Sequence, residues 1–437
     1  MKINFNSKIG KFKPVNGASN FNSGANDDFF KLGFPTVRLH DQDYPRPFCV
    51  DIAAIFPNQE KDENDPVNYD FRHTDLIISR LVENNTEVIY RLGNSIDHTP
   101  FKRLSAVPSD FAKWARIAEH IIAHYREGWA DGFYYKSLRY WEIWNEPDLI
   151  CLGLNTMWQG TEEEFFELYK VASRHLKERF PDIFVGGYGA ARTRERFFES
   201  FLEMAKREKL PLDFFSWHRY GSEIEELRDQ ARRVRSLLDK YGFSKTVSIL
   251  DEWCYTENSW YGKNRWNEIE KNNTLRESFY SRMRGPAGAS YVASCMIMML
   301  DEPVDMAHLY DCQTHMNFSL LCDQWRNYTK TAKAVFAFND MAKMDRAFTE
   351  CDVDGVFLAA GHSGDSAIAM VSCFECKGAE NVIEINGCLG FSVSVKLVDD
   401  YFNGEEVAHF EINEDKMKLP ISLRPYTVII IEMKKNA

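Results

Sequence analysis

Two glutamates carry the chemistry that can be read from the chain. Glu146 closes the run Tyr140-Trp141-Glu142-Ile143-Trp144-Asn145-Glu146-Pro147, whose aromatic and β-branched residues favour a strand and whose proline has no N–H to continue a ladder. Glu252 closes a second apolar run, Val247-Ser248-Ile249-Leu250-Asp251-Glu252-Trp253. Strand ends of this kind are where α/β folds place their reacting groups. Two such carboxyls about 5 Å apart, one protonated and one ionised, can cleave a glycosidic bond by double displacement.

The neighbouring residues supply the donors that this chemistry requires. Asn145 can bond a sugar 2-hydroxyl, an interaction that strengthens in the transition state, so Glu146 is read as the general acid/base and Glu252 as the nucleophile. His218 and Tyr220, at the end of another strand-like run, are placed to orient the nucleophile, with a satisfied core histidine as the alternative for His218. Glu142 shares the parity of Trp144 and points inward, where an unpaired carboxylate is costly. Arg38 and Arg91 are its candidate partners, in a buried pair beneath the site rather than as part of a third acid. Trp144, Trp217 and Trp253 could each offer a ring to a sugar, and packing beneath the site explains any of them equally well. Cys254 receives no chemical role. The sequence contains no metal constellation, and neither metal nor cofactor is expected, because two carboxylates suffice for the proton transfers.

To position these residues the chain must alternate strands with helices. Eight strand-like runs are expected at Phe12 to Asn16, Thr36 to His40, Val88 to Leu92, Leu138 to Asn145, Ile183 to Gly187, Phe214 to His218, Val247 to Glu252 and Ser290 to Met299. Helical patterns lie between them. Thr161 with Glu164 is a capping box for a helix through Phe165, Leu168 and Ala172, and Ser222 precedes one that ends at Gly242. This is the signature of an α/β chain folded as a (β/α)8 TIM barrel over residues 10–345. No Gly-rich phosphate loop follows the first run, which counts against an open doubly wound sheet. The proline-rich loop from Gln42 to Tyr69 is too long for a plain connection and is expected to shape the cleft.

After Lys343 the pattern changes to short strands separated by turns such as Asn403-Gly404: Gly355 to Ala360, Asp365 to Phe374, Asn381 to Ile385, Phe391 to Asp399, Val407 to Ile412 and Tyr426 to Met433. An antiparallel β-sandwich over residues 346–437 is expected, joined by a strand from residues 1–9, where Ile3 and Phe5 alternate with polar neighbours.

Composition narrows the partners. A net charge of −12 without a basic block excludes nucleic acid and anionic membrane, and aromatic residues at 14% suit a carbohydrate partner. The apolar stretch from Ala289 to Leu300 is too short to span a bilayer, which needs about 20 residues. No signal peptide follows Met1, so a cytoplasmic location is expected unless a leader lies outside this sequence. The 10 cysteines lack framework spacing, and Cys373-x-x-Cys376 stands alone, without a second ligand pair. Self-association is left open.

With both glutamates in place, residues 11–345 resemble glycoside hydrolase family 39, the clan A retaining family of β-xylosidases and α-L-iduronidases. Trp144-Asn145-Glu146-Pro147 is similar to its acid/base motif, Ile249-Leu250-Asp251-Glu252-Trp253 to its nucleophile strand, and Leu212 to Tyr220 to its sixth strand. Val37-Arg38-Leu39-His40-Asp41 is similar to its second strand, whose histidine contacts the sugar. The resemblance implies a retaining glycosidase with β-xylosidase-like exo-action on oligosaccharides or glycosides. It also implies substrate contacts from Asn145, His40, His218, Tyr220, Arg38, Trp253 and Trp144. The chain departs from the family at Asp251, where threonine is more usual, and at Met298 to Pro303, where the eighth strand's aromatic platform is expected. A uronic-acid glycosidase is the alternative, with Arg219, Lys263 or Arg265 holding the substrate carboxylate, and a non-catalytic carbohydrate-binding barrel is another.

Overall fold

The computed structural model describes residues 1–21, 28–96, 104–152, 157–257, 268–269, 271–313, 319–323, 325 and 327–436. Eight parallel strands close a barrel: β2 (Gly17–Ser19), β3 (Thr36–Leu39), β4 (Glu87–Leu92), β5 (Tyr140–Ile143), β6 (Phe184–Ala190), β7 (Phe214–Gly221), β8 (Val247–Tyr255) and β9 (Met306–Leu309), with β2 pairing both β3 and β9. The remaining strands form one sheet beside it: β1 (Lys2–Lys11), β10 (Asp345–Glu350), β11 (Val356–Ser363), β12 (Ser366–Cys373), β13 (Ala379–Asn386), β14 (Phe391–Val398), β15 (Asn403–Glu411), β16 (Lys416–Leu423) and β17 (Thr427–Lys435).

Two of the expected barrel strands fall elsewhere. The first is not Phe12 to Asn16 but β2, whose Gly-Ala-Ser carries no strand propensity. It packs too closely for larger residues, since a Cβ on Gly17 would come within 2.4 Å of Thr36 Oγ1. The eighth is not Ser290 to Met299, which lies in a helix from Pro286 to Met299. Every residue of that helix from Ala287 to Met299 is buried, because the helix is clamped between barrel and sheet. A helix that is apolar all round shows no 3.6-residue periodicity and reads like a buried strand. The strand that closes the barrel is β9.

The expected helix ends are in place. The Thr161 hydroxyl accepts from Glu164 N at 3.2 Å while Glu164 accepts from Thr161 N at 2.7 Å, opening the helix Glu162–Arg179. The helix Ile224–Lys240 covers β7 and β8 from outside, burying Leu227, Ala231, Val234 and Leu238.

The barrel interior is layered. Ile89, Tyr140, Phe214 and Ile249 form an apolar floor. Two residues further along their strands, Glu142, Ser216 and Asp251 point the same way, together with Arg38 from β3, and all four are buried. The next step up brings His40, Asn145, His218 and Glu252 to the mouth.

β1 pairs antiparallel with β10 and parallel with β13, tying the amino terminus into the C-terminal sheet. That sheet runs β15-β14-β17-β12-β11-β10-β1-β13-β16. Val393 and Ile431 near one end share a single apolar cluster with Ile385 and Ile421 at the other, so the sheet curls around its own core. Among the described residues no helix is long and apolar enough to cross a membrane.

Candidate active site

The turn that ends β5 is held in an uncommon backbone conformation. Trp144 and Glu146 have φ of 71° and 48°, a region that non-glycine residues rarely adopt. The turn is pinned on both sides: Trp144 N donates to Leu92 O at 2.8 Å, and Glu146 N reaches Tyr188 O and Gly189 O, each at 3.1 Å. Asp148, buried just beyond, accepts from Ala191 N at 3.1 Å and Arg192 N at 2.7 Å, fastening the turn to the loop after β6. Burial pushes the Asp148 carboxyl up to about 7.

Glu252 is held by two donors. Arg38 Nη1 reaches its Oε1 at 2.7 Å, and the Tyr220 hydroxyl donates to its Oε2 at 2.7 Å. Burial raises the Glu252 carboxyl, while His218 and Arg38 pull it down. On balance the carboxyl stays above its ordinary range, with a donor on each oxygen opposing the effect of burial.

Arg38 is the hub beneath the site. Its Nε lies 2.8 Å from Glu142 Oε2 and 2.9 Å from Asp251 Oδ2, and its Nη2 donates to Asn145 Oδ1 at 2.6 Å. Of the two arginines that the sequence offered to Glu142, the partner is Arg38. Arg38 itself is fully buried and spends its guanidinium on protein groups, so it positions the site and does not contact a sugar as expected. Because arginine only donates, Asn145 must turn Oδ1 toward it, which leaves Nδ2 as the donor on its other edge. Glu142 and Asp251 lie side by side under one guanidinium. Burial pushes Glu142 up to about 8, while Asp251, buried as deeply, is held low by Arg38 and His218.

Arg91, the other candidate for Glu142, turns instead to the long loop after β3, where its Nη2 donates to Asp51 Oδ1 at 2.6 Å. Its Nε donates to His40 Nδ1 at 3.0 Å, which places the ring hydrogen of His40 on Nε2, 3.8 Å from Glu252 Oε1. Burial, reinforced by Arg91 and Arg38, holds His40 well below its ordinary value, so it is a neutral donor. The loop from Gln42 to Tyr69 thus reaches the site through Asp51.

His218 sits between the two glutamates, with Nδ1 2.8 Å from Glu146 Oε1 and 3.4 Å from Glu252 Oε2. Burial works against its charge, yet Glu252, Asp251 and Glu146 together raise it well above the usual imidazole range. One ligand atom each from Glu146, His218 and Glu252 lie within 4.8 Å of one another, a grouping that could hold a metal ion and that the sequence did not reveal.

The tryptophans are not open to a ligand. Trp144 packs on Trp114 and Trp158 and donates to Met157 O at 2.9 Å, and Trp217 and Trp253 are fully buried in the core. The expectation that Trp144 and Trp253 contact a sugar is therefore corrected: both are packing residues. The aromatic ring missed at the eighth strand is Tyr310, half-buried directly after β9. Its hydroxyl donates to Asp41 Oδ2 at 2.6 Å, and its ring meets Tyr220 edge to face at 6.2 Å. Correct placement of the strand would have revealed it. Arg219 pairs with Glu226, and Lys263 and Arg265 lie outside the described residues. Cys254 is a buried thiol beside Met283.

Residues 28–276 match the family described as glycosyl hydrolases family 39. A beta-xylosidase of Geobacillus stearothermophilus is 27% identical over 251 residues, covering 51% of this chain and 47% of that protein. A beta-xylosidase of Caldicellulosiruptor saccharolyticus is 25% identical over 223 residues, covering 46% and 41%. The chain thus spans less than half the length of these curated relatives. A glucosidase structure from Croceicoccus marinus superimposes with a TM-score of 0.80 at 21% identity, over 100% of this chain and 99% of that one, which shows a shared fold.

Proposed function

This chain belongs to glycosyl hydrolase family 39, and from that premise we propose that it cleaves a glycosidic bond with retention, Glu252 acting as nucleophile and Glu146 as general acid/base. The observation that carries this reading is that carboxyl oxygens of the two glutamates come within 4.8 Å of each other. That spacing suits double displacement, for which about 5–5.5 Å is usual, and leaves no room for the water that inversion places between carboxyls about 6.5–9.5 Å apart.

In the first step Glu252 bonds the anomeric carbon while Glu146 gives its proton to the departing oxygen. In the second, Glu146 takes a proton from the incoming water, which displaces Glu252. The donors assigned to the sugar are Asn145 Nδ2 and His40 Nε2, while His218 and the Tyr220 hydroxyl hold the two glutamates. Tyr310 joins them as the half-buried ring directly after β9.

The substrate we infer is a neutral sugar, a β-xyloside, cleaved from the end of an oligosaccharide or glycoside as the names of the two β-xylosidase relatives suggest. Charge supports this reading over a uronide. Among the described residues near the glutamates, Arg38, Arg91 and Arg219 are each engaged by a carboxylate, and Asp41 adds further acid beside Tyr310. A substrate carboxylate would meet repulsion there.

A panel of nitrophenyl glycosides followed by proton NMR tests the reading. Cleavage of the β-xyloside with β-xylose as the first product is expected. The α-anomer first would remove Glu252 as nucleophile, cleavage of an iduronide alone would overturn the neutral substrate, and no cleavage of any glycoside would favour a carbohydrate-binding barrel.

A further inference from the structure

β8 carries an irregularity at its most important residue. In its ladder with β7, Leu250 faces Trp217 and Glu252 faces His218, so Asp251 is the extra residue of a bulge, and the register with β9 slips over the same stretch. A bulge breaks the alternation of side chains, and here two consecutive acids, Asp251 and Glu252, both enter the barrel. Asp251 is fully buried, and neither of its oxygens has a well-directed hydrogen bond. Oδ2 lies 2.9 Å from Arg38 Nε, whose single hydrogen is aimed at Glu142. Oδ1 lies 3.4 Å from Nε2 of His218, a ring nitrogen that is likewise without a directed partner.

His218 therefore has an acid at each ring nitrogen, Asp251 at Nε2 and Glu146 at Nδ1. A carboxylate only accepts, and before reaction the two ionised groups at the ring are Asp251 at Nε2 and Glu252, 3.4 Å from Nδ1, so either neutral tautomer would set a lone pair against one of them and only the imidazolium donates to both. The other groups facing the ring bear this out. From β8 there is Glu252, from the turn after β5 Asn145 and Asp148, from β3 and its end Arg38 and the neutral His40, and from its own strand Tyr220. Among the described residues facing the ring Arg38 opposes the charge, and it is itself balanced by Asp251 and Glu252.

We propose that Asp251 is a positioning residue that keeps His218 doubly protonated, so that its Nδ1–H supports whichever catalytic glutamate carries the negative charge. The proposal rests on the glycosidase reading. Before reaction that glutamate is Glu252. When Glu252 becomes an ester and Glu146 has given its proton to the leaving oxygen, it is Glu146. The cluster's net charge is the same in both states, and the ring nitrogen that follows the charge lies within 3.4 Å of one carboxylate and 2.8 Å of the other.

The test reads His218 directly. In protein labelled with 15N-histidine, the signals that vanish in His218→Asn are followed by NMR from pH 5 to 9 in the wild type and in Asp251→Asn. Both nitrogens of wild-type His218 should be protonated at pH 7, and the titration should move down by about one unit or more in Asp251→Asn. A neutral wild-type ring at pH 7, or a titration unmoved by the substitution, overturns the proposal, and the first outcome holds even if the variant does not fold. In kinetics the alkaline limb of kcat/KM should move the same way. The variant should be within a few-fold of wild type near pH 5 and tenfold or more slower above pH 7. A deficit equal at all pH values would mean Asp251 is merely structural. Absence of activity in the wild type would sink the glycosidase reading while the NMR result still decided the Asp251 contact.

Discussion

The barrel and the C-terminal sheet enclose interiors of opposite kinds. The sheet wraps Ile3, Phe5, Val371, Ile385, Val393, Ile421 and Ile431 in an apolar cluster that also takes in cysteine thiols. The barrel has one comparable layer, its floor, and above it buries Arg38, Glu142, Asp251, His218 and Glu252. Apolar burial contributes about 25 cal/mol per Å² without geometric conditions. A buried ion cluster roughly breaks even at best and is strongly unfavourable once a member is removed. The sheet's interior is thus built for cohesion, and the barrel's upper layers are kept for chemistry at a cost that the floor and the outer helices offset.

That contrast can be broken at several points. The largest effect is expected from deleting residues 346–437, which we propose as a domain resting on the barrel. This uncovers the buried, largely apolar helix Pro286–Met299, whose Ser294 hydroxyl donates to Ser372 Oγ on β12 at 2.8 Å. The truncated chain should be recovered only in the insoluble fraction, and a soluble, active truncation would show the sheet to be an independent module. Next is Arg38→Met, which leaves Glu252, Asp251 and Glu142 without their shared cation. Denaturant unfolding should show a loss of about 3–5 kcal/mol, and kcat/KM should fall by about a hundredfold or more. In the sheet, Ile431→Ala should cost a similar or smaller amount, about 2–4 kcal/mol, yet leave kcat per folded molecule unchanged.

The smallest effect concerns pH. Glu142 holds its proton up to about 8 against an ordinary value of 4.5, so between these limits the folded chain binds a proton that the unfolded chain has released. Its contribution to stability is full below the lower value and declines as pH rises through the higher. Glu142→Gln removes the titration. The stability of the variant relative to wild type should therefore increase from pH 5 to pH 8, by a few kcal/mol at most. A difference independent of pH would mean that Glu142 is ionised throughout.

Much of this was legible in the sequence, for identifiable reasons. Glu146 and Glu252 stood out because each ends a strongly strand-forming run, and side-chain parity turned Glu142 inward while leaving Arg38 and Arg91 as alternative partners. β2 escaped notice because a three-residue strand of small side chains has no propensity signature. The helix Pro286–Met299 misled because burial on all sides erases the helical period, and that error hid Tyr310 by displacing the last strand. Asp251 escaped as an interior residue because alternation assigns it to the opposite face from Glu252, and no residue type announces a bulge. The Arg91–Asp51 contact spans a long loop whose path propensity does not encode. Trp144 and Trp253 were read as potential sugar contacts from their neighbours in sequence, whereas the backbone turns both into the core.

The most direct test of the roles given to the two glutamates is the product each alanine variant forms with azide from a glycoside carrying an activated leaving group. Glu146→Ala retains its nucleophile, needs no acid for such a substrate, and should give a glycosyl azide of retained configuration at a turnover raised by azide. Glu252→Ala should be inactive alone and, with azide entering from the vacated side, should give the opposite anomer. Exchange of the two anomers between the variants would contradict the assignment of Glu252 as nucleophile and Glu146 as acid/base.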